Sequence, residues 1–379
     1  MNVPKLRFPE FNDEWITDKI GKFVSINSGE SPSKFKFYNQ GIPYYKVEQL
    51  NNSLKYQIQT PYYINTNKVI PKGSIIFPKR GAAILLNKIR ILSFDSFFDT
   101  NIMSLTVNGI NNEFLYYYLI KENLSNIADT SSIPQLNNKH IEPYPLIHPC
   151  SLNEQEKIGE TLSLLDKKIE LQTKKIEDLK LFKKGLFTNL KFNNTSLIKF
   201  KDILDEVNEK SVVNNQYEIL SSTAHGLFLQ KEYFNKQAAS DINMGYKILR
   251  KNQLVLSPQN LWMGNININD KYNIGIVSPS YKIFKINANI INIDYFNNWI
   301  KSPRALYEYK ISSEQGASVV RRNLNMDLFN EITLKIPNMQ TQNKIGKQIS
   351  NINNLIELEN CKLVRLKKLK KGLMQCMFV

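Results

Sequence analysis

Basic and amide side chains gathered on turns are the groups in this chain best equipped for chemistry with a partner, and that chemistry is hydrogen bonding to phosphates and base edges. The run Lys72-Gly73-Ser74-Ile75-Ile76-Phe77-Pro78-Lys79-Arg80-Gly81 reads as a short apolar strand ending in a basic, glycine-terminated turn. There Lys79 and Arg80 can protrude toward a phosphate or a guanine edge. Arg321, Arg322, Asn323 and Asn325 form the densest polar cluster of the second half, and Gln135, Asn137, Asn138 and Lys139 stand opposite them in the first. Ser257, Gln259, Asn260 and Trp262 take the place that Phe77–Gly81 takes in the other half. Lys46 and Tyr281 complete the candidate set. Amides suit adenine edges and arginines suit guanine. Each residue also has a plain structural reading: Arg80-Gly81 as a tight turn, Asn137 and Asn325 as caps of local turns, Trp262 as core.

Other chemistry is poorly represented. Cys150, Cys361 and Cys376 lie far apart, and His140, His148 and His225 do not pair with them at metal-ligand spacing, so neither a structural zinc nor a disulfide framework is expected. Cys361 and Cys376 read as small residues on or beside a helix seam. No Gly-x-x-x-x-Gly-Lys-Ser/Thr phosphate loop occurs. Glu177, Asp178 and Lys180 fall on a solvated helix face, and Asp95 and Asp99 near Lys88 and Arg90 offer a thin imitation of a nuclease site. The net charge of +16, spread over the whole chain, favours phosphate-bearing partners, although Asn, Lys and Ile are abundant throughout.

Two elements must position these turns. Gln155–Phe187 and Gln342–Met374 are one helix written twice: at an offset of 187 residues, 15 of 33 positions are identical without a gap. Ile158, Leu162, Leu165, Ile169, Gln172, Ile176, Leu179, Lys183 and Leu186 recur at alternating steps of four and three, and Ile345, Ile349, Ile352, Ile356, Glu359, Leu363, Leu366, Lys370 and Leu373 fill the same slots. That spacing builds a coiled-coil seam, along helices of about 50 Å at 1.5 Å per residue. Leu164, Leu171, Phe182, Leu355, Leu358 and Leu369 are apolar but off the heptad; they either broaden the seam or form a docking face.

A length of 379 residues fits two or three domains. The spacing gives four segments: a mixed domain over 1–152, a long helix over 153–192 with Asn153 as its N-cap and Glu154 and Glu156 in its first turn, a second mixed domain over 193–338, and a second long helix over 339–379. In the first domain Trp15 and Ile20–Ile26 begin the fold, Ile42–Leu50 reads as a strand, Asn112–Lys121 as a helix, Ser131–Asn138 as a polar loop and Ile141–Pro149 as an extended lead. The second repeats this plan: Phe200–Val207 echoes Ile20–Ile26, Asn252–Pro258 echoes Gly73–Pro78, Asp294–Lys301 echoes the helix, Gln315–Asn325 stands for the polar loop and Ile332–Pro337 for the lead. The fold class is therefore α+β and pseudo-two-fold. With the helices antiparallel, a matched frame carrying unlike tips would hold two readers on one side of a duplex, whose equivalent faces recur about every 34 Å. No apolar signal core opens the chain and no run of eighteen apolar residues occurs, so a cytoplasmic location is expected.

These residues resemble the specificity subunits of type I restriction-modification systems. The resemblance is carried by Gln155-Glu156-Lys157-Ile158-Gly159 and Gln342-Asn343-Lys344-Ile345-Gly346, by the Lys-Lys-Gly-Leu endings at Lys183–Leu186 and Lys370–Leu373, and by the proline-rich leads. Gly245-Tyr246-Lys247 and Gly275–Phe284 look like that family's target-recognition domain. It implies two target-recognition domains separated by two antiparallel coiled-coil helices. Each domain would read one half of a split, asymmetric sequence in double-stranded DNA. The helices would hold two methyltransferase subunits, through them the restriction subunits. Adenine methyltransferases of the family carry an Asn/Asp-Pro-Pro-aromatic motif and a glycine-rich cofactor loop, which this chain lacks. S-adenosylmethionine, ATP and Mg are therefore expected on partner subunits, with no cofactor or metal bound here. The competing readings are a stand-alone methyltransferase or endonuclease, and a coiled-coil scaffold without DNA specificity.

Overall fold

The computed structural model describes residues 3–129, 133–188, 195–233, 242–315 and 322–379. It divides into two compact units, Met1–Lys175 with Asn360–Val379, and Ile176–Glu359. Each unit thus combines one mixed domain with parts of both long helices, which run Leu152–Thr188 and Met339–Met377. The expected end of the first helix at 189–192 lies outside the described residues.

The first unit is built on a five-stranded sheet whose order is Val24–Ser28, Ile102–Val107, Ile75–Pro78, Arg90–Leu92, Tyr56–Gln57. The second has a four-stranded sheet in the order Leu204–Val207, Lys282–Ile286, Leu254–Leu256, Ile266–Ile268. The first four strands of the one follow the order of the four in the other, and Tyr56–Gln57 is an addition at the edge. A two-stranded closure repeats as well: Trp15–Lys19 pairs antiparallel with Pro145–Pro149, and Thr195–Lys199 with Thr333–Pro337. The echo read along the chain is therefore an echo in topology.

Each proline lead delivers its chain into a long helix through a small polar cap. Ser151, not Asn153, caps the first: its Oγ accepts the Glu154 N–H at 3.4 Å and its carbonyl the Gln155 N–H at 3.2 Å. Asn338, 187 residues later, does the same for Thr341 at 2.9 Å and Gln342 at 3.0 Å. The extended lead ends at Pro149 as expected but begins only at Pro145, because Asn138–Ile141 is a short helix. Glu154 does more than complement the helix dipole: it is 1% exposed, bonded to Arg7 at 2.7 and 2.9 Å and to the Trp15 indole at 3.2 Å.

The motif residues Gln155 and Gly159 form a seat for the helix Asn112–Glu122. Gln155 is buried; its amide donates to the Pro149 carbonyl at 2.8 Å and accepts the Asn111 N–H at 2.9 Å. Asn111 in turn caps that helix through its side chain, at 3.0 Å from the Glu113 and Phe114 N–H groups. Gln342 repeats every bond, to Pro337 at 2.9 Å and from Asn292 at 2.9 Å, and Asn292 caps Ile293–Trp299. One turn on, a side chain on Gly159 would meet the Glu113 Cβ at 2.9 Å, and one on Gly346 the Asn292 Oδ1 at 2.4 Å. Only glycine allows the two helices to approach that closely.

Every heptad position of both helices is buried or half-buried, whereas Leu164, Leu171, Phe182, Leu355, Leu358 and Leu369 are 38% to 62% exposed. Those six residues therefore lie outside the seam. In the first unit the helix segments are antiparallel: Ile158 and Leu162 share one core with Met374, Met377 and Phe378, and the Phe378 ring lies 5.3 Å from Phe114. The polar heptad residue Lys370 has a local cause there. Its ammonium pairs with Asp166 at 2.5 Å and lies 5.3 Å from the Tyr117 ring, whose hydroxyl donates to the same carboxylate at 2.7 Å. In the second unit Ile345 and Ile349 join a core around Phe200, which meets Phe296, Trp299 and Phe329 within 5.8 Å.

One expected strand is shorter. Ile42–Tyr45 is extended, but Val47–Asn51 is a 3-10 turn, because the Gln49 side chain accepts the Lys46 N–H at 2.8 Å and Leu50 turns into the core. Among the described residues no helix is long and apolar enough to cross a membrane. The glycines supply a test. Gly185 and Gly372 have nothing within 4 Å of an added Cβ, so Gly185→Ala and Gly372→Ala should each raise stability by roughly 0.5–1 kcal/mol. Gly159→Ala and Gly346→Ala should instead lower it by about 1–3 kcal/mol. Denaturant titration of the four variants measures both signs.

Candidate nucleic-acid interface

In the first unit the predicted polar residues come together. The strand Ile75–Pro78 runs on into Lys79–Gly81, and this extension is matched by 134–136: the Leu136 N–H donates to the Lys79 carbonyl at 2.9 Å and the Gly81 N–H to the Pro134 carbonyl at 2.8 Å. Arg80 and Gln135 form an isolated bridge. Gly81 takes a φ of +80°, which ends the strand and leaves the Arg80 side chain exposed. Asn137 heads the short helix Asn138–Ile141, its N–H accepted by His140 Nδ1 at 3.2 Å, with Asn138 and Lys139 exposed. Residues 131–132 of the polar loop lie outside the described residues.

The electrostatics of this cluster differ from those of the surface around it. Lys22, Lys34, Lys68, Lys199 and Lys201 each meet a carboxylate within 3.3 Å. Among the described residues no carboxylate stands within ion-pair distance of Lys79, Arg80 or Lys139. Burial, and then the neighbouring Arg80, hold the Lys79 ammonium below its ordinary pKa, while its Nζ donates to the Ser28 hydroxyl at 2.9 Å. The Asp99 carboxylate offsets these effects least of all, so the two cations held together favour an anion. Lys46 stands elsewhere on the unit, its ammonium 3.8 Å from the centre of the Tyr62 ring and 5.5 Å from that of Phe37.

In the second unit the strand Leu254–Leu256 ends in the 3-10 turn Pro258–Met263, closed by Gly264 at a φ of +86°. Gln259 is exposed and Asn260 half-buried. Ser257 is only 5% exposed and shapes the base of the turn, its N–H bonded to the Asn265 carbonyl at 3.0 Å. The strand Arg322–Leu324 packs against this turn, so the Arg322 guanidinium lies 5.9 Å from the Trp262 ring and donates to the Ser313 carbonyl at 2.8 and 3.2 Å. Trp262 is half-buried as the platform for that cation. Asn323 is exposed. Asn325 caps Met326–Asn330 through its Oδ1, at 3.0 Å from the Asp327 N–H and 3.2 Å from that of Leu328. Tyr281 points inward, its hydroxyl on the Ser222 carbonyl at 3.3 Å and its pKa raised by burial. Arg321 lies outside the described residues.

The acidic residues that imitate a nuclease site do not assemble. Asp95 accepts the Lys72 N–H at 2.9 Å, Asp99 accepts the Asn101 N–H at 2.7 Å, and Arg90 donates to the Leu50 and Ile89 carbonyls at 2.7 Å. Lys88 bonds Asn51. What the sequence reading missed is the hairpin Leu220–Thr223 with Gly226–Leu229, whose tip carries the exposed His225; the signal was the glycine closing the polar run Ser221–His225.

Comparison with known proteins gives a consistent picture. Residues 12–181 match the model of the Type I restriction modification DNA specificity domain. A specificity subunit of the type I restriction enzyme MjaVIII from Methanocaldococcus jannaschii is 23% identical, over 97% of this chain and 92% of its own. The MjaIX specificity subunit of the same organism is 29% identical over 46% of this chain and 43% of its own. Among solved structures, the S subunit of a type I restriction-modification system from M. genitalium superposes with a TM-score of 0.62 at 17% identity, covering 100% of this chain and 99% of the other. A chain from a structural study of complex assembly and conformational transition of the type I R-M system gives 0.56 at 10% identity, over 96% and 97%.

Two substitutions separate surface from frame. Arg80→Ala should leave melting unchanged, weaken duplex binding for all sequences alike and reduce the slope of log affinity against log salt by about 1. Asn325→Ala should cost about 1 kcal/mol of stability through the lost cap, as read by denaturation without DNA.

Proposed function

We infer that the chain belongs to the specificity subunits of type I restriction-modification systems and is the DNA-recognition subunit of such a complex, without catalysis of its own. The observation that carries this reading is the repetition of one frame with unlike tips. In each unit a strand of equal rank in its sheet ends in a glycine-closed turn bearing cations and amides, and the residues differ: Lys79, Arg80 and Gln135 in one, Gln259, Trp262 and Arg322 in the other. Unpaired cations gain affinity from phosphates, and amide and guanidinium groups beside them gain selectivity from base edges. Each unit reads one half of a bipartite, asymmetric target.

The duplicated helices, 37 and 39 residues long, set the spacer between the two halves. Their exposed apolar residues Leu164, Leu171, Phe182, Leu355, Leu358 and Leu369 dock two methyltransferase subunits, which in turn carry the restriction subunits. S-adenosylmethionine, ATP and Mg belong to those partners.

Salt titration tests the reading. The full chain should bind duplex DNA with an affinity that falls roughly a thousandfold between about 50 and 200 mM salt, and far more tightly with its methyltransferase partner. Methylation mapping of host DNA should then return a split motif. Binding that ignores salt would leave only an assembly scaffold, and methyl transfer or cleavage by the isolated chain would make it an enzyme.

A further inference from the structure

The hairpin of the second unit is held in place by more than its own strands. Its tip, Thr223-Ala224-His225-Gly226, closes on itself: the Thr223 hydroxyl donates to the Gly226 carbonyl at 3.1 Å and accepts the His225 N–H at 3.1 Å. Beneath the tip lies a buried polar network. Ser222, Asn265 and Asn267 are each less than 9% exposed. The Ser222 hydroxyl donates to Asn265 Oδ1 at 2.7 Å and accepts from Asn267 Nδ2 at 2.7 Å, while the two amides also donate to the Ser222 and Thr223 carbonyls at 3.0 and 2.9 Å. Buried polar groups of this kind fix one arrangement when all are satisfied, at little gain in stability over an apolar filling.

Lys301 connects this network to the turn described above. Its ammonium donates to the Gly264 carbonyl at 2.9 Å and the Ala224 carbonyl at 3.3 Å. Gly264 closes the turn that carries Gln259 and Trp262, and Ala224 sits at the hairpin tip. One cation therefore ties the two loops together. Its described contacts are these carbonyls, with no carboxylate among them. His225 is the one titratable residue on the hairpin, the turn Pro258–Met263 and the strand Ile266–Ile268 carry none, and Asp294, Tyr295, Arg304, Tyr307, Glu308, Tyr309 and Lys310 stand on the flanking helices. None of these contributes to the lowering of the Lys301 pKa, to about 8, for which burial is the sole cause. A half-buried cation without a carboxylate partner adds little to folding, whereas its two carbonyl bonds fix where the loops lie.

We propose that Lys301 is a positioning residue: it holds the Thr223–Gly226 tip in register with the Pro258–Met263 turn, so that His225 contacts the same half-site as Gln259 and Trp262. The inference rests on the DNA-recognition reading. It also fixes the sign of two pH effects. Between pH 8 and the ordinary lysine range the unfolded chain binds the proton that the folded chain has lost, so raising pH through this window stabilises the fold. The same deprotonation weakens the bridge between the loops, so half-site selectivity falls as stability rises.

The test is selection from a randomised duplex pool by the full chain, followed by sequencing, for wild type, Lys301→Met, Lys301→Arg and His225→Ala. Lys301→Met should lose about tenfold of the selectivity for the second unit's half-site and keep the first unit's motif, while Lys301→Arg retains both and removes the alkaline step in selectivity. His225→Ala, on an exposed tip, should fold normally and lose selectivity at one or two positions of the same half-site. Wild-type motifs from both Lys301→Met and His225→Ala overturn the proposal. If Lys301→Met fails to fold, His225→Ala decides it alone. Failure of wild type to return any motif would instead sink the DNA-recognition reading, because the first unit's half-site would be missing too.

Discussion

A buried glutamine amide at the head of each long helix is the constraint on which each unit depends. Gln155 joins three elements at once, taking the Asn111 N–H at a helix cap, giving to Pro149 at the end of the closing strand pair, and doing both from within the long helix. An amide 2% exposed is tolerable only because its polar atoms are satisfied. That requirement fixes the positions of its neighbours. The glycine four residues on then allows the helix Asn112–Glu122 to lie directly on the long helix. Gln342 and Gly346 impose the same geometry on Asn292 and Pro337. The repeat is thus a repeated solution to one packing problem.

Once the frame is fixed in this way, the loops at the strand ends are free to differ. Loops positioned by a rigid scaffold are where binding groups usually lie, and here the two scaffolds share a strand order while presenting unlike chemistry. The first unit offers a lysine-arginine pair beside amides, whereas the second offers an arginine stacked on a tryptophan. On the proposed reading, phosphate contacts give both their affinity and the side chains of each loop give its selectivity. The same logic explains why exposed apolar residues on the long helices do not disturb the seam: Leu164 and Leu358 stand off the heptad, so the seam closes without them.

Much of this frame was legible in the sequence because its signals are periodic or duplicated. The heptads, the offset of 187 and the matched proline leads needed no tertiary information. The details that escaped are set by contacts distant along the chain. Asn153 is a good capping residue, but Ser151 caps the helix because the strand pair Trp15–Lys19 with Pro145–Pro149 ends there. Glu154 reads as a first-turn acid facing the helix dipole, yet Arg7 and Trp15, nearly 150 residues away, enclose it. Lys370 interrupts an apolar heptad only until Asp166 and Tyr117 are placed beside it. In the interface, Arg80 and Gln135 stand on separate stretches of the sequence with nothing there to pair them, and the fold joins them in a bridge. Ser257 is buried at the base of its turn by its bond to Asn265, and Tyr281 faces inward onto the Ser222 carbonyl. Lys301 carried no sequence signal, since its role comes from two carbonyls more than 30 residues away.

Hydrogen exchange on the full chain, with and without duplex DNA carrying the mapped target, tests the central claim that an invariant frame presents two unlike reading surfaces. The account predicts that the Asn111 and Asn292 amides exchange only on global unfolding and do not respond to DNA. DNA should slow exchange at 79–81 and 135–139 in one unit and at 257–264 in the other. Fast exchange at Asn111 and Asn292, or DNA protection that appears along the helices and at neither turn, would contradict it.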